Sequence, residues 1–332
     1  MVSIIVINWN GKRFLRECLQ SLYEQTYQDM EALLIDNYST DGSREMLSEY
    51  AARSRLFYNP KNIGYCGAAN LGIVESRGDY LLILNPDVVL SPDYLRKLVL
   101  CADQHPHVGS ITGKLLRFDH QTLDSAGQFL RNNLTPLERG YNQTDIGQHN
   151  LAEYVFSACG AAAFYRRNML EAIQIDGEYF DTSYFAFYED LDIGWRAQLA
   201  GWKAYYLPDA LAYHYRGGGF ADKPAASWLS RLPFAPRSSF MEKPRSVQRH
   251  ILKNRYLTLI KNAAWPEILL GLPNIARLEL LIAGYVLFVH PSLLFAWGDL
   301  LTLLPQAWRK RQKIQARRVV DGMYIAGFLR KG

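Results

Sequence analysis

Two acidic motifs about a hundred residues apart contain the side chains best suited to chemistry. Asn85-Pro86-Asp87 follows the apolar run 80–84, and Glu189-Asp190 opens an amphipathic segment. Carboxylate oxygen is a ligand that Mg²⁺ or Mn²⁺ prefers, and such an ion can neutralise a departing diphosphate. A carboxylate at the start of a helix stays ionised in the field of the helix dipole and can accept a proton from an attacking hydroxyl. We therefore expect Asp87 to bind a divalent cation and Asp190 to act as a general base, with Glu189 as the alternative base.

Each motif also has an ordinary structural interpretation. Asn85-Pro86-Asp87 is typical of a strand-ending turn built on proline, and acidic residues commonly cap helices. His214, after another strand-like run, can supply a metal ligand or can be a hydrogen-bonded core residue, and both interpretations stay open. Arg216 can bind phosphate, whereas Arg196 within the helical segment favours a structural ion pair.

Polar residues also follow the first two apolar runs. Asn8 and Trp9 come directly after 2–7, and Asp36 ends the run 31–36. An indole ring can stack on a nucleobase, and a carboxylate can accept hydrogen bonds from a base or a ribose. The sequence thus predicts nucleotide binding by these residues, with stabilisation of the following turn as the alternative role of Asp36.

Small residues follow the third apolar run. Asn62-Ile63-Gly64 leads into Ala68-Ala69-Asn70, and a main chain of this composition can approach a sugar diphosphate closely. The segment matches neither the dinucleotide pattern G-x-G-x-x-G nor the P-loop pattern, so close packing of a helix on the sheet explains it equally well. On this basis we expect Asn62, Gly64 and Asn70 to bind the sugar diphosphate of a donor substrate.

The elements that must hold these residues alternate along the first hundred positions. Apolar runs predict strands near 2–7, 31–36, 55–58 and 80–85, and amphipathic segments predict helices near 12–25, 42–53, 66–76 and 92–104. Repeated β-α units form a doubly wound, mainly parallel sheet, and ligands of such sheets bind beyond the carboxyl ends of the strands. We therefore expect an α/β fold in which the candidate residues meet at one edge.

The rest of the chain divides into three parts. Short mixed strands near 108–166 are expected to complete the sheet and shape the acceptor side, which gives a catalytic domain over 1–219. Three glycines at 217–219 and four prolines up to Pro244 predict a loop or lid, with a linker over 220–248. Residues 249–332 form a basic helical tail.

The composition of the chain indicates the cellular compartment in which it functions. At 332 residues and 49% hydrophobic, the chain can bury a sizeable core. Its four scattered cysteines predict neither a disulfide framework nor a thiolate metal site, and reduced, cytoplasmic thiols fit best. The first residues enter a strand directly, without a basic leader, so no secretory signal peptide is expected.

The positive charge belongs to the tail. Residues 249–332 hold thirteen Lys or Arg against four Asp or Glu, a net of +9 that leaves −4 of the total +5 for residues 1–248. The apolar stretch 280–298 precedes basic residues at 309–318 and lacks aromatic-basic interleaving, so an anionic membrane surface is expected and nucleic acid is not. His290 and Pro291 interrupt the stretch, which favours two in-plane or re-entrant helices. Packing on the main domain or on a second subunit, as in a homo-oligomer, is the alternative.

Five motifs in order resemble glycosyltransferase family 2 over residues 1–220. They are VSIIVINWN (2–10), LIDNYSTDG (34–42), NIG (62–64), LNPD (84–87) and YED (188–190). The Asn-Pro-Asp variant, in which Asn85 replaces the first acid of the D-x-D pattern, is most similar to the bacterial rhamnosyltransferase-like branch. The basic, apolar tail is also similar to that branch.

The resemblance implies a GT-A fold, a nucleotide-sugar donor, a divalent cation (Mn²⁺ or Mg²⁺) and inversion at the anomeric carbon. It implies that Trp9 and Asp36 hold the nucleoside, that Asn85 and Asp87 hold the ribose-diphosphate and metal, and that Asp190 is the base. The favoured donor is dTDP-rhamnose, with a UDP-sugar as the other possibility, and the acceptor is a saccharide or a lipid-linked saccharide.

The implied location is peripheral, on the cytoplasmic face of the bacterial inner membrane, with a soluble cytoplasmic enzyme as the alternative. Two other functions compete. A non-catalytic, membrane-bound nucleotide-sugar scaffold is consistent with the imperfect Asn85-Pro86-Asp87 motif. A sugar-phosphate nucleotidylyltransferase is more distant, since Asn8-Trp9-Asn10-Gly11-Lys12-Arg13 is a poor triphosphate-binding loop.

Overall fold

A computed structural model describes residues 1–216 and 240–330 of the chain. The first half alternates strands and helices as the hydrophobic periodicity predicts. The strands are β1 (Val2–Asn8), β2 (Met30–Asp36), β3 (Arg55–Tyr58), β4 (Tyr80–Leu84), β5 (Val88–Leu90), β6 (Val108–Arg117), β7 (Leu123–Ser125), β8 (Gln128–Arg131), β9 (Pro136–Glu138), β10 (Glu153–Val155), β11 (Ala162–Arg166), β12 (Lys203–His214) and β13 (Leu329–Arg330).

The helices cover both faces of the sheet and extend beyond it at the C-terminal end. They are α1 (Lys12–Tyr23), α2 (Ser43–Ser48), α3 (Gly64–Glu75), α4 (Tyr94–Gln104), α5 (Arg167–Ile173), α6 (Glu189–Leu199), α7 (Arg245–Asn262), α8 (Trp265–Gly284) and α9 (Leu294–Ala316). The prediction of a helix over 42–53 is too long. After Ser48 the chain continues in turns, with the amide of Tyr50 bonded to the carbonyl of Leu47 three residues back.

The first four βα strands lie side by side in the order β4-β1-β2-β3, and all are parallel. In this register Asn8 pairs with Asp36, and Val6 pairs with Leu84. Every residue of β1 and β4 is buried, as expected for strands with helices on both faces. The residues that follow these strands therefore lie together at the carboxyl edge.

The second half completes the sheet with mixed strands, as predicted for 108–166. β11 lies antiparallel between β4 and β6, and β12 runs parallel to β6 on its far side. A small second sheet joins β8 and β9 to β13, so the last described residues pair with the middle of the chain. The predicted α/β class, a GT-A-type fold followed by C-terminal helices, is confirmed.

The C-terminal helices are tied to the sheet domain by a buried charge network. The Lys261 ammonium lies 2.5 Å from a carboxylate oxygen of Asp181 and 2.9 Å from one of Asp192. Lys310 lies 2.8 Å from both Asp181 and Glu178. Since unpaired buried charges are costly, these contacts fix α7 and α9 against the segment that precedes α6.

Most of the basic residues at 309–318, for which we predict contact with anionic lipid, make contacts within the chain. Lys310 is buried, Lys313 pairs with Asp176, and Arg311 donates to the carbonyls of Ile260 and Ala263. Arg317 and Arg318 also donate to main-chain carbonyls. Most of the positive charge thus serves contacts within the chain, which the sequence pattern alone could not distinguish from a membrane-facing patch.

The apolar stretch is divided into two helices, as His290 and Pro291 predict. α8 continues as a π-helical turn to Val289, and the chain breaks at His290 before α9. Among the described residues, Trp265–Val289 is long and apolar enough to cross a membrane, with a mean hydropathy of 1.6 and 6% burial in its most apolar window. Leu280 is 76% exposed and Phe288 is 87% exposed, so the outer face of this pair is apolar. The predicted loop over 217–244 lies mainly outside the described residues.

Candidate active site

The carboxyl edge of the sheet begins with a buried pair at the ends of β1 and β2. The Asn8 amide donates to the Asp36 carboxylate at 3.1 Å and to the hydroxyls of Ser39 and Ser43 at 3.0 and 2.8 Å. Asn8 and Asp36 are both fully buried. Both side chains therefore shape the loop after β2, while Trp9, which follows Asn8, is partly exposed at the predicted nucleotide side. Nucleotide binding by these three residues remains a prediction.

The small-residue segment after β3 is organised by Asn37. Its amide group donates to the Asn62 side chain at 2.9 Å and to the Gly64 carbonyl at 3.1 Å, and Asn62 in turn accepts from the Gly64 amide. Gly64 has a φ of +76°, and a Cβ at this position would lie 2.6 Å from the Phe185 carbonyl oxygen. The glycine is thus required for contact with the chain before α6, and its predicted contact with a diphosphate remains a prediction.

Asn70 has an internal role. Its amide donates to the Phe180 carbonyl at 2.7 Å, and its oxygen accepts from the amides of Tyr179 and Phe180 at 3.1 and 2.8 Å. An amide side chain that is satisfied in this way fixes α3 to the 179–180 loop. The structure therefore gives no support to the prediction that Asn70 binds the donor.

Asn85-Pro86-Asp87 forms the turn between β4 and β5. The amide of Val88 donates to the Asn85 carbonyl at 3.3 Å, and Pro86 occupies the second position, where its fixed φ favours such a turn. Within the described residues the Asn85 side chain makes no hydrogen bond and is partly exposed, whereas Asp87 is 4% exposed. The structural and chemical interpretations of this motif are thus compatible.

Asp87 meets His214 at the end of β12. His214 Nε2 lies 3.3 Å from Asp87 Oδ1, and His214 Nδ1 lies 2.8 Å from Asp124 Oδ2. Burial disfavours the charged imidazole, but hydrogen bonds to Asp124 and Asp87 outweigh it and raise the pKa of His214 to about 9. Asp124 is fully buried, and although burial opposes ionisation, His214 and Arg216 lower the pKa of its carboxyl. Asp124 therefore orients the imidazole.

Asp87 and His214 have the donor types that a divalent cation takes, a carboxylate and an imidazole, and their donor atoms lie 3.3 Å apart. Asp124 behind the imidazole resembles the carboxylate that commonly orients a metal-binding histidine. A cation would have to replace the proton that His214 Nε2 shares with Asp87, so metal binding by the pair remains a prediction. No cluster of three or more His, Cys, Asp or Glu ligands occurs in the described part of the chain, so diphosphate oxygens would complete the coordination.

Asp190 lies at the start of α6 among hydrogen-bond donors. Its Oδ2 accepts from the Gln128 amide at 2.7 Å and from the Gly160 main-chain amide at 3.1 Å, and its Oδ1 accepts from the Leu191 amide at 2.8 Å. The carboxylate is thus held in one orientation, and Oδ1 retains capacity for a further donor such as a hydroxyl.

Glu189 has the opposite environment. Its Oε2 is buried and has no hydrogen-bond partner among the described residues. Burial and the charge of Asp190 raise the pKa of Glu189 to about 8. Burial also raises the pKa of Asp190, but the donors from Gly160, Leu191 and Gln128 favour its ionised form. Of the two candidates, Asp190 is therefore better suited to be the ionised base at neutral pH.

Gly160 and Ala161 bring the two acidic motifs together. The Asn85 amide donates to the Ala161 carbonyl at 2.9 Å, and the preceding residue, Gly160, donates to Asp190. Asn85, two residues before Asp87, and Asp190 therefore contact neighbouring residues just before β11.

Sequence reasoning missed Asp124, Gln128 and Glu138. The Gln128 amide group donates to Glu138 at 2.5 Å as well as to Asp190 at 2.7 Å, so it links two carboxylates. Burial, with the charge of Asp190, raises the pKa of Glu138 to about 7. These residues lie in short strands without a recognisable motif, and only their contacts identify them.

The two arginines have distinct partners. Arg196 Nε lies 2.9 Å from Asp192, and its other nitrogens donate to the carbonyls of Ile173 and Tyr179, which confirms the predicted structural ion pair. Arg216 pairs with Asp124 behind the candidate metal ligand His214. Phosphate binding by Arg216 remains a prediction.

Known proteins share both the sequence pattern and the fold. The sequence profile of "Glycosyl transferase family 2" matches residues 3–174, about half of the chain. A similar curated protein, the N-acetylglucosaminyl-diphospho-decaprenol L-rhamnosyltransferase of Mycobacterium tuberculosis, is 27% identical over 251 residues, which are 68% of this chain and 80% of that protein.

Solved structures resemble this fold at low sequence identity. TarS 1-349 of S. aureus in complex with UDP has a TM-score of 0.56 and 17% identity, covering 98% of this chain and 91% of that chain. GalNAc-T7 with UDP, GalNAc and Mn²⁺ has a TM-score of 0.57 and 14% identity; the match covers 79% of this chain but 48% of that one, so this chain spans about half of it. With the profile match, the shared fold and the ordered motifs together, the chain belongs to glycosyltransferase family 2.

Proposed function

We propose that this family 2 glycosyltransferase transfers a deoxysugar, with inversion, from a nucleotide-sugar donor to a saccharide or lipid-linked saccharide. The observation that carries the proposal is that both acidic motifs contact Gly160-Ala161, through the main-chain amide of Asn85 and the carboxylate of Asp190, while Asp87 of the first motif pairs with His214. An inverting displacement requires a leaving-group site and a base on opposite sides of the reacting sugar. The two acidic motifs are suited to these two roles.

The base step is carried by Asp190. An acceptor hydroxyl that donates to Oδ1 would be oriented by a carboxylate that Gln128, Gly160 and Leu191 already hold in place. As the hydroxyl oxygen forms its bond to the anomeric carbon, its proton passes to Asp190, and the bond to the nucleoside diphosphate breaks. General base catalysis of this kind contributes about 10²- to 10⁴-fold in rate.

Asp87 and His214 are the residues that would hold a divalent cation, and Asn85 precedes Asp87 in the same turn. When bound, Mg²⁺ or Mn²⁺ would neutralise the charge of the leaving diphosphate. The presence of Mn²⁺ with UDP in GalNAc-T7 supports this assignment. Asp124 and Arg216 then act behind His214 to keep the imidazole oriented.

The mycobacterial relative supports rhamnose as the sugar and a lipid-linked saccharide as the acceptor. We favour dTDP-rhamnose as the donor, with UDP-sugars as the competing class. The exposed apolar face of α8 and α9 supports a peripheral position on the cytoplasmic face of the inner membrane, where the chain would meet a lipid-linked acceptor. A second copy of the chain covering that face is the competing arrangement.

The proposal is tested by binding and hydrolysis of dTDP-, UDP- and GDP-sugars, each with and without Mn²⁺. We expect Mn²⁺ to enhance binding and slow hydrolysis of one donor selectively. Metal-dependent binding without turnover, even with a lipid-linked acceptor, would favour the scaffold. Formation of a nucleotide sugar from a nucleoside triphosphate would favour the nucleotidylyltransferase.

A further inference from the structure

The chain immediately before Glu189-Asp190 has an unusual main-chain conformation. Phe185, Phe187 and Tyr188 have φ angles of 67°, 71° and 71°, in the left-handed region that non-glycine residues rarely occupy. Phe185 is the centre of a γ-turn of the strained hand, with a ψ of −62° and a 2.8 Å hydrogen bond from the Ala186 amide to the Tyr184 carbonyl. Such a loop persists only where its surroundings impose it, and strained residues cluster at active sites.

Asn254 of α7 supplies those surroundings. Its side-chain amide nitrogen lies 3.0 Å from the Tyr184 carbonyl oxygen, 2.8 Å from that of Ala186 and 2.7 Å from that of Phe187. Asn254 is fully buried, and its own oxygen has no hydrogen-bond partner among the described residues. The strained turn thus directs three main-chain carbonyls toward the Asn254 side chain, and the amide group of Asn254 donates to all three.

Neighbouring turns of α7 extend the same contact. Residues at i, i+4 spacing lie on one helix face, and His250, Asn254, Thr258 and Asn262 have this spacing. The His250 ring stacks on Phe185 at 5.1 Å, Thr258 bonds the Tyr184 hydroxyl at 2.7 Å, and Asn262 donates to Asp192 at 2.8 Å. This polar stripe of α7 follows the chain from before the turn into α6.

We propose that Asn254 is a positioning residue that holds the strained 184–188 loop, and through it Asp190, in the orientation needed for the base step. The inference rests on the proposed function for its catalytic consequence. With this role of Asn254, α7 supports the active site, although the helix lies outside the 3–174 segment that the family profile matches. The tail is then required for turnover independently of any membrane contact.

The test uses the full chain with Asn254→Leu, which keeps the branched arrangement of side-chain heavy atoms but removes both N–H donors. Asn254→Asp is a second variant, in which a carboxylate faces the three carbonyls. Gln248→Met is the matched control, because Gln248 is another buried α7 amide, and it donates to the main-chain carbonyls of Met241 and Lys243 and to none in the 184–188 loop.

The first readout is amide hydrogen exchange in the absence of substrate. We expect Asn254→Leu to speed exchange at residues 185–192 at least about tenfold while β1 and β4 keep wild-type protection, and we expect Gln248→Met to leave 185–192 unchanged. Wild-type exchange of the loop in both Asn254 variants would overturn the inference. A uniform loss of protection across β1 and β4 would also overturn it, since Asn254 would then support the whole fold.

The second readout is transfer to a synthetic N-acetylglucosaminyl-diphospho-polyprenol. We expect kcat to fall about 10- to 100-fold in Asn254→Leu while the Kd for the donor nucleotide changes less than about threefold, since misplacement of a catalytic group affects the reaction more than ground-state binding. Equal losses in kcat and nucleotide affinity, or an unchanged kcat, would refute positioning of Asp190. A wild-type protein without transferase activity would defeat the proposed function, and the exchange experiment would still decide the role of Asn254.

Discussion

The substitution Asp190→Asn tests the function of Asp190 as a base while it changes the packing and hydrogen bonds around this residue only slightly. The carboxylate accepts three hydrogen bonds, two at Oδ2 and one at Oδ1. An asparagine oxygen at the Oδ2 position keeps the bonds from Gln128 and Gly160, while the new NH₂ group faces the Leu191 amide. The loss of one hydrogen bond costs about 1 kcal/mol, and removal of a charge beside Glu189 offsets part of this cost.

The expected loss of catalytic rate in Asp190→Asn is much larger than its expected loss of stability. Loss of a general base lowers kcat by about 10²- to 10⁴-fold, or about 3–5 kcal/mol in transition-state stabilisation. We therefore expect Asp190→Asn to keep a thermal midpoint within a few degrees of wild type, to bind the donor nucleotide normally and to lose at least about 99% of transfer. Radiolabelled sugar transfer to the lipid-linked acceptor and calorimetric nucleotide binding measure the two quantities separately.

Glu189→Gln is the matched control for that experiment. Because Glu189 has a raised pKa and an unpaired oxygen, its amide analogue resembles the protonated form, and kcat should stay within about tenfold of wild type. If Glu189→Gln loses about 10²-fold and Asp190→Asn does not, Glu189 is the base. Near-normal transfer by both variants would exclude a base in this motif.

Three further perturbations test other parts of the structure. His214→Ala should lower the enhancement of nucleotide binding by Mn²⁺ at least about tenfold, measured as the ratio of Kd values with and without the ion, and an unchanged ratio would contradict the metal assignment. Lys261→Met should lower the free energy of unfolding by about 1.5–3 kcal/mol in urea, because two buried carboxylates each lose one charged hydrogen bond while Asp181 keeps Lys310 and Asp192 keeps Arg196. The control, Lys313→Met in an exposed pair, should cost less than about 1 kcal/mol, and equal effects would refute the reasoning. Replacement of Leu280 and Phe288 by serine should reduce sedimentation with anionic liposomes, whereas unchanged partitioning together with a change from dimer to monomer would assign the apolar face to a second copy.

Local sequence pattern predicted the first half of the fold well. The apolar runs at 2–7, 31–36, 55–58 and 80–85 became parallel strands within one or two residues, because alternating β-α segments with buried strands have few alternative arrangements. The same pattern placed Asn8, Asp36 and Asp87 at one edge, since parallel strands end on the same side. It also predicted the helix break at His290-Pro291.

Contacts between residues far apart in the chain could not be predicted from that local pattern. The contact of Gly64 with Phe185 and the hold of Asn70 on the 179–180 loop had no signal in the sequence, and donor binding by these two residues stays a prediction. Asp124, which orients His214 from 90 positions away, had no local signature. Whether a polar side chain faces a ligand or another strand depends on which distant segment packs against it.

The sequence by itself determined the order of strands and helices, the edge at which the acidic motifs emerge and the family to which they belong. The tertiary structure alone decided that Asp190 is the hydrogen-bonded carboxylate of its pair, and that Lys261 and Lys310 are buried against acids. The physical reason is that hydrophobic periodicity follows from local backbone geometry, whereas the environment of a charge is set by contacts between residues far apart in the chain.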